Sequence, residues 1–436
     1  ECKNDKIQEV KSSMYEKRLI DSILKEYVDE LPAILLEGAK AVGKTETCKQ
    51  LASTEYRMDN AAQRELLQNN PEIILQNSKP VLIDEWQLAP SLWSYVRHAV
   101  DDGLPNGSVL FTGSSIRVNS RVHSGAGRII RLKLRPYSIE ERNLSDSYIR
   151  IEDLFNFDSK ATVNGETDKT LVDYLDEIYR SGFPGIRNKS ERIRKVLLKS
   201  YVTNIAEHEF EENGFKILNT HSLLAWMRIY AASIGTETKQ STLINAATAS
   251  DAIPSAPTVS KYREALEILD ITDEVQPFLP MGKIYGNLAK GTKHFMLDPA
   301  IALSLLGVEK DELIDYQVPK YVSKFHQTLT GQLIESFVYQ SLVVYADVND
   351  AQLSYYRNSR GTREIDFILQ KGHRLILFEV KTNPDVKDSY VRHLNWFEDE
   401  IGDEFKVTKV LLNTGRYAYT RREDHVHVIP LALLGA

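Results

Sequence analysis

An α/β fold in three sections is what the sequence predicts, on three observations. Between residues 31 and 140, short apolar runs alternate with longer amphipathic stretches. From 171 to about 325 the periodicity is mainly helical, and from 326 to 436 strand-like runs return behind one amphipathic helix. At roughly 150 residues per domain, a chain of 436 residues makes three, with expected boundaries at 1–145, 146–325 and 326–436. Hydrophobic residues make up 42% and charged residues 26%, enough for a sizeable core.

Residues 1–30 read as a charged, partly helical lead-in, with Leu19, Ile20, Ile23 and Leu24 at helical spacing. Ala33–Leu36, Val81–Ile83 and Val109–Thr112 are strand candidates, each followed by a polar or glycine-rich turn. Short continuous apolar strands between helices imply a parallel sheet covered on both faces. Residues 141–170 are polar and turn-rich, and read as a surface insertion or linker. In the middle section a loop-like stretch, Ala246–Pro257, precedes a capped helix at Thr258–Asp270, and Val275, Phe278 and Leu279 follow as a short hairpin. Two helices, a turn, a third helix and a β-wing would make a winged helix-turn-helix. The last section opens on the helix TGQLIESFVYQSLVVYA and then shows strand patterns at 353–356, 364–369, 374–380 and 407–412.

The balance of 54 Lys+Arg against 61 Asp+Glu gives a net charge of −7. A chain this acidic is no generic polyanion binder, although a local basic patch is compatible with it. No apolar run approaches the ~18 residues of a membrane span, and the first residues lack the apolar stretch of a signal peptide. Cys2 and Cys48 are too few for a disulfide framework or a cysteine metal cluster. The expectation is a cytoplasmic chain with no membrane contact.

The strongest local signal is Gly38-Ala39-Lys40-Ala41-Val42-Gly43-Lys44-Thr45, a full GxxxxGK[ST] pattern between a strand candidate and the helix candidate KTETCKQLA. That context distinguishes a phosphate loop from a chance glycine turn. Glycines let backbone N–H groups curl around phosphates, and a helix N-terminus adds partial positive charge. Lys44 is expected to neutralise the β- and γ-phosphates, Thr45 to ligate Mg²⁺, and the loop through Glu46 to line the cofactor. Asp84 and Glu85 follow the apolar run Val81–Ile83. There Asp84 is suited to hold Mg²⁺ and Glu85 to orient and deprotonate an attacking water. Thr112 or Ser114, at the end of the third run, is placed to sense a γ-phosphate. Arg128 is a candidate transition-state arginine, reaching its own or a neighbouring subunit's nucleotide.

A second group lies near the C-terminus. Asp366 sits in the run REIDFIL, and Glu379 and Lys381 lie two apart in LILFEVK, on one side of an extended strand. Upstream, Glu335 interrupts an apolar helix face, where an uncompensated carboxylate is costly. Carboxylates on adjacent strands with a nearby lysine suit Mg²⁺-dependent phosphodiester hydrolysis, the carboxylates holding the cation and the lysine polarising water. An ordinary surface ion pair between Glu379 and Lys381 is the plainer alternative.

With both groups in view, the sequence resembles a family of prokaryotic AAA-superfamily ATPases whose ATPase core precedes a C-terminal region of winged-helix and restriction-endonuclease-like, PD-(D/E)XK, character. The resemblance rests on GAKAVGKT at 38–45, the strand-DEWQ element at 81–87, FTGSS at 111–115, SGAGRIIRLKLRPYSIEE at 124–141 and SGFPG at 181–185. It continues in GQLIESFV at 331–338, REIDFIL at 363–369 and FEVKT at 378–382. Lys40 and Glu46 depart from the Arg and Thr often found in the family's loop. The resemblance implies a P-loop NTPase (AAA-type) parallel-sheet domain, a mainly helical winged-helix-like middle region and an α/β restriction-endonuclease-like C-terminal domain. It also implies ATP and Mg²⁺ at Gly43, Lys44 and Thr45, with Asp84 and Glu85 as the acid pair, Thr112 on the sensor strand and Arg128 as a basic element after it.

The expected function is an ATP-binding, Mg²⁺-dependent ATPase whose cycle controls the C-terminal module. A nuclease switched by ATP and a non-enzymatic ATP-dependent scaffold are the alternatives. DNA or RNA is a candidate partner through the C-terminal regions, and a homo-oligomer is a candidate assembly. A winged helix could put Lys261 and Arg263 on DNA, but Glu264, Glu267 and Asp270 on the same helix would repel phosphates, and an interdomain packing module is the favoured reading. His425 and His427 read as surface residues.

Overall fold

The computed structural model describes residues 15–114, 127–158, 160–210, 215, 219–236, 242, 255–279, 291–314, 324–358 and 361–436. Five parallel strands form the N-terminal sheet: β1 (Ala33–Glu37), β2 (Thr54–Arg57), β3 (Val81–Asp84), β4 (Val109–Gly113) and β5 (Ile130–Lys133), in the order β2-β3-β4-β1-β5. The three apolar runs become the three central strands because their side chains are buried on both faces. Ile34, Leu36, Leu82 and Leu110 join the large core shared with the rest of the chain. Their alternates Ala33, Leu35, Val81, Ile83 and Phe111 join a second core under the helix Pro90–Asp101. There Trp86 stacks on Trp93 with ring centroids 4.6 Å apart, and Phe111 lies 5.3 Å from Trp93. The edge strands β2 and β5 show half-buried patterns.

The middle section is mainly helical, with Leu171–Arg180, Glu191–Asn204, Thr220–Ala232 and Ala256–Ile268 as its longest helices before the ribbon described next. The loop candidate Ala246–Pro257 lies mostly outside the described residues, as do Ser115 and residues 124–126 of the family-like motif. Residues 280–290 lie outside them as well. The strands β8 (Thr272–Val275) and β9 (Lys293–Met296) pair antiparallel as a ribbon, whereas Phe278 and Leu279 of the expected short hairpin lie in no strand.

The stretch 141–170 departs from the linker expectation. It contains β6 (Ile149–Arg150), the short helix Ile151–Asn156 and β7 (Gly165–Glu166), and it buries Glu141, Arg142, Ile151, Leu154 and Phe155. Its strands are completed by the far end of the chain. That domain holds β10 (Gln352–Arg357), β11 (Glu364–Lys371), β12 (Arg374–Val380), β13 (Lys406–Asn413), β14 (Tyr417–Thr420), β15 (His427–Pro430) and β16 (Leu434–Gly435). A mixed seven-stranded sheet runs β10-β11-β12-β13-β15-β14-β7, so β7 is its edge, while β6 pairs in parallel with β16. Polar side chains here satisfy local turn chemistry while their apolar neighbours pack against the C-terminal domain.

The long helix Lys324–Val348 lies between the domains. Ser341 Oγ accepts from the Ile139 N–H at 2.9 Å, and Tyr345 Oη accepts from Glu140 N–H at 3.0 Å. Arg142 is fully enclosed, donating to the Glu177 carbonyl at 2.6 Å and to Gln340 Oε1 at 2.7 Å. Ser181 of the SGFPG motif donates to Asp298 Oδ2 at 2.7 Å, which also accepts from Gly182 N–H at 2.6 Å. These bonds join all three sections at one buried junction. Among the described residues no helix is long and apolar enough to cross a membrane.

His427 is a second departure. Rather than facing solvent it is buried in β15, bonded to the Thr420 hydroxyl at 2.8 Å and packed edge-on against Phe157. Burial, with His425 and Lys409 nearby, pulls its pKa from 6.5 down to about 4. Below pH 6.5 the unfolded chain therefore takes up a proton that the folded one refuses, so stability falls as pH drops from 6.5 toward 4. His427→Gln is expected to flatten this acid limb, measured as melting temperature against pH; an unchanged limb would count against the assignment.

Candidate functional site

The carboxyl ends of β1, β3 and β4 converge on one edge of the parallel sheet, where open α/β sheets bind ligands. The loop after β1 turns through positive φ at Gly38 (150°), Ala41 (67°) and Gly43 (105°) before the helix Lys44–Lys49. Gly38 is required by contact as well as by conformation, since a Cβ there would stand 2.3 Å from the Leu134 carbonyl oxygen. Lys44 is buried, and its ammonium donates to the carbonyls of Gly38 and Ala39, each at 2.9 Å. Burial lowers its pKa, opposed by the charge of Glu85 and then of Asp270 and Asp84.

Asp84, at the end of β3, accepts from Thr45 Oγ1 at 2.7 Å and also from Thr112 Oγ1. The same oxygen of Asp84 receives both hydroxyls. Glu85, the next residue, adopts a left-handed backbone (φ 54°, ψ 47°), the kind of local strain that clusters at functional sites. Gln87 Nε2 donates to its carboxylate. Thr112 is wholly buried and its hydroxyl donates to Asp84, so it positions that carboxylate. Ser114, two residues on, has a hydroxyl shut off from solvent with no hydrogen-bond partner. Trp86 Nε1 and Gln87 Oε1, both packed against Gly113, are orphaned in the same way. Buried polar atoms without partners are uncommon in folded proteins, and here they gather at the phosphate edge. With the Thr45–Asp84 oxygen pair beside the loop amides, this donor set fits a Mg²⁺-nucleotide.

Several supports were missed by sequence reasoning. Arg18, nearly inaccessible, donates to the Val42 carbonyl of the loop at 3.1 Å and to Arg135 O at 2.6 Å, and pairs with Glu141 at 2.9 Å. Burial alone would raise the Glu141 pKa, but the charge and hydrogen bonds of Arg18 hold it below the ordinary carboxylate value. Lys40 pairs with Glu209 at 2.6 Å, tying the loop to the π-helical stretch Ile205–Glu209 of the middle section. Glu46 points to solvent and pairs with Lys49. Arg128 lies two residues before β5, and the register Ile34↔Ile130 and Glu37↔Lys133 puts it at the sheet edge opposite the loop. There it pairs with Asp101 at 2.8 Å. Strand direction thus excludes Arg128 from the nucleotide of its own chain.

In the C-terminal domain, Glu335, Asp366, Glu379 and Lys381 do come together, joined by two residues the sequence did not single out. Lys293 of β9 pairs with Glu335, lies 3.2 Å from Glu364 and reaches Asp366 at 3.8 Å. Asp366 Oδ2 accepts from Val380 N–H at 2.8 Å, and Lys381 pairs with Glu379 at 2.5 Å. Burial raises the pKa of Glu335 and of Glu379, with Asp366 adding repulsion to each. Among the described residues, no group of three His, Cys, Asp or Glu side chains is placed to hold a metal ion. In this arrangement the charge opposing Glu335, Glu364 and Asp366 is the Lys293 ammonium. Arg263, a candidate DNA contact, is engaged by Glu267 at 2.8 Å and by Glu274.

Residues 30–143 match the AAA domain family, which makes the N-terminal section an AAA-type P-loop domain. Residues 171–312 match a domain of unknown function (DUF8612), and residues 330–434 match another (DUF4143). No curated protein sequence matches the chain. Among solved structures, it is similar to the Walker-type ATPase PABY2304 of Pyrococcus abyssi, at 14% identity over 67% of this chain and 96% of that one, with a TM-score of 0.40. It is also similar to a single-substitution variant of RuvB from Thermotoga maritima, at 15% identity over 59% and 88% of the two chains, with a TM-score of 0.26.

Proposed function

We propose that this chain is a Mg²⁺-dependent ATPase whose nucleotide cycle is transmitted to its C-terminal domain. The observation that carries the first half is the convergence of Lys44, Thr45, Asp84, Glu85 and the orphaned Ser114 hydroxyl on one sheet edge. On binding, the loop amides and the Lys44 ammonium take the phosphates, and Lys44 exchanges the Gly38 and Ala39 carbonyls for phosphate oxygens. Mg²⁺, held by Thr45 and Asp84, would neutralise phosphate charge. Gln87 orients the Glu85 carboxylate, which takes a proton from the attacking water, and Ser114 donates toward the γ-phosphate. Arg128 belongs to this reading only across subunits of an assembled form. Phosphate release from ATP by the purified chain, lost in Lys44→Ala, tests the proposal; a chain that binds no ATP overturns it.

The second half is supported by two ion pairs. Just past the phosphate edge, Lys133 pairs with Asp270 and Arg135 with Asp273, both at the start of the β8–β9 ribbon. The same ribbon continues against the C-terminal sheet, where Phe278 N–H donates to the Tyr355 carbonyl at 2.6 Å. A shift of β5 on nucleotide binding therefore pulls on an element seated against the C-terminal domain. In wild type, a non-hydrolysable ATP analogue is expected to change amide exchange in β10–β12. Asp273→Asn should lose that change while keeping nucleotide affinity, and an identical exchange response in both would remove this half.

A further inference from the structure

A cluster of carboxylates needs a counter-charge, and this one draws it from a different domain. Glu335 lies on the long helix, while Glu364, Asp366 and Glu379 lie on β11 and β12. The cation comes from β9 of the middle section. Lys293 is 1% exposed and meets Glu335, Glu364 and Asp366 together. Its ammonium also stands 5.4 Å from the Phe367 ring centroid and 6.0 Å from that of Tyr355, a seat that favours an organic cation. Two residues along the same strand, Phe295 stacks on Tyr339 with centroids 4.1 Å apart, fixing the ribbon against the helix that carries Glu335. Glu379 Oε2, within the same buried cluster, has no hydrogen-bond partner. The Glu379 carboxylate is met by Lys381 through its other oxygen, which leaves Lys293 to Glu335, Glu364 and Asp366.

We propose that Lys293 is the resident cation of this cluster: its ammonium takes the position a divalent metal would need, fastening the middle section to the C-terminal domain and keeping metal out. A charged lysine cannot share these oxygens with Mg²⁺ or Mn²⁺ at contact distance, because like charges in a buried site repel strongly. Removing the ammonium while keeping the side chain's volume leaves the carboxylates uncompensated, and a hard cation with oxygen preference then becomes the available neutraliser.

The test uses the full chain without nucleotide and Mn²⁺ as the probe, read by electron paramagnetic resonance and by thermal shift. Wild type and Asp366→Asn should bind the same number of Mn²⁺ ions, since neither holds one in the cluster. Lys293→Met should bind one more, lose it again in Lys293→Met/Asp366→Asn, and alone show a melting temperature that rises with Mn²⁺. A folded Lys293→Met chain that gains no ion overturns the proposal. So does a wild-type chain that loses a bound ion on Asp366→Asn, a comparison that stands even if Lys293→Met fails to fold. ATP hydrolysis is not part of either readout, so failure of the ATPase reading leaves this test intact.

Discussion

Glu85→Gln is expected to leave ATP binding intact and to slow hydrolysis on the order of 10²–10⁴-fold, the usual contribution of a positioned general base. The amide keeps the shape of the carboxylate and the contact with Gln87, so the left-handed turn after β3 survives. It cannot take the proton of water at neutral pH. Lys44→Ala should behave in the opposite sense. A charged hydrogen bond is worth about 1.5–3 kcal/mol, so losing the ammonium should weaken ATP binding about 10–150-fold and carry turnover down with it. Titration calorimetry with phosphate-release kinetics separates the two. Equal turnover in wild type and Glu85→Gln would refute the base assignment, whereas unchanged affinity in Lys44→Ala would remove the phosphate loop itself.

Arg18→Met is expected to cost about 3–5 kcal/mol of stability, because it leaves the Glu141 carboxylate buried without its cation. Glu141 would retain the N–H groups of Leu19 and Ser138 and the Ser138 hydroxyl, which neutralise no charge. In wild type its folded pKa is held down, so its contribution is present above the unfolded carboxylate value and lost as pH falls through the folded one. In Arg18→Met the sign reverses: the stranded carboxylate resists ionising, and the defect should shrink as pH is lowered. Denaturant melts at pH 7 and pH 5 read this directly. A double variant, Arg18→Met/Glu141→Leu, should recover much of the loss, since an apolar pair can replace a buried ion pair. A defect of equal size at both pH values would mean that Arg18 acts through packing on Tyr137 alone. Because Arg18 also holds the Val42 carbonyl, the single variant should bind ATP more weakly at temperatures where it remains folded.

The N-terminal site was legible because its chemistry is contiguous. A phosphate loop and an acid pair are local patterns, and the apolar runs Ala33–Leu36, Val81–Ile83 and Val109–Thr112 are buried on both faces, so burial and periodicity agreed. The edge strands Thr54–Arg57 and Ile130–Lys133 alternate with charged residues and left no such trace. Arg18 and Glu141 meet across more than a hundred residues, and nothing in either local sequence announces the pair. Thr112 stands at a strand end, the place a sensor takes, and only the fold shows that its hydroxyl holds the Asp84 carboxylate. Lys293 carried a usable signal: a lone lysine beside His294, Phe295 and Met296 in a strand is costly to bury without a partner. The stretch 141–170 hid its role because strands of two residues have no period to read.

Ile149 and Gly165 find their sheet partners only at Leu434 and Ala418. During synthesis, this early strap must wait, unpaired, until nearly all of the intervening polypeptide has left the ribosome. Long-range closure of this kind slows maturation, and the helix Ile151–Asn156 would meanwhile show Leu154 and Phe155 to water. The C-terminal lobe is correspondingly not a cassette: excising residues 330–434 would strip an edge and a cover from its sheet. Grafting that lobe onto another carrier would have to bring the strap along.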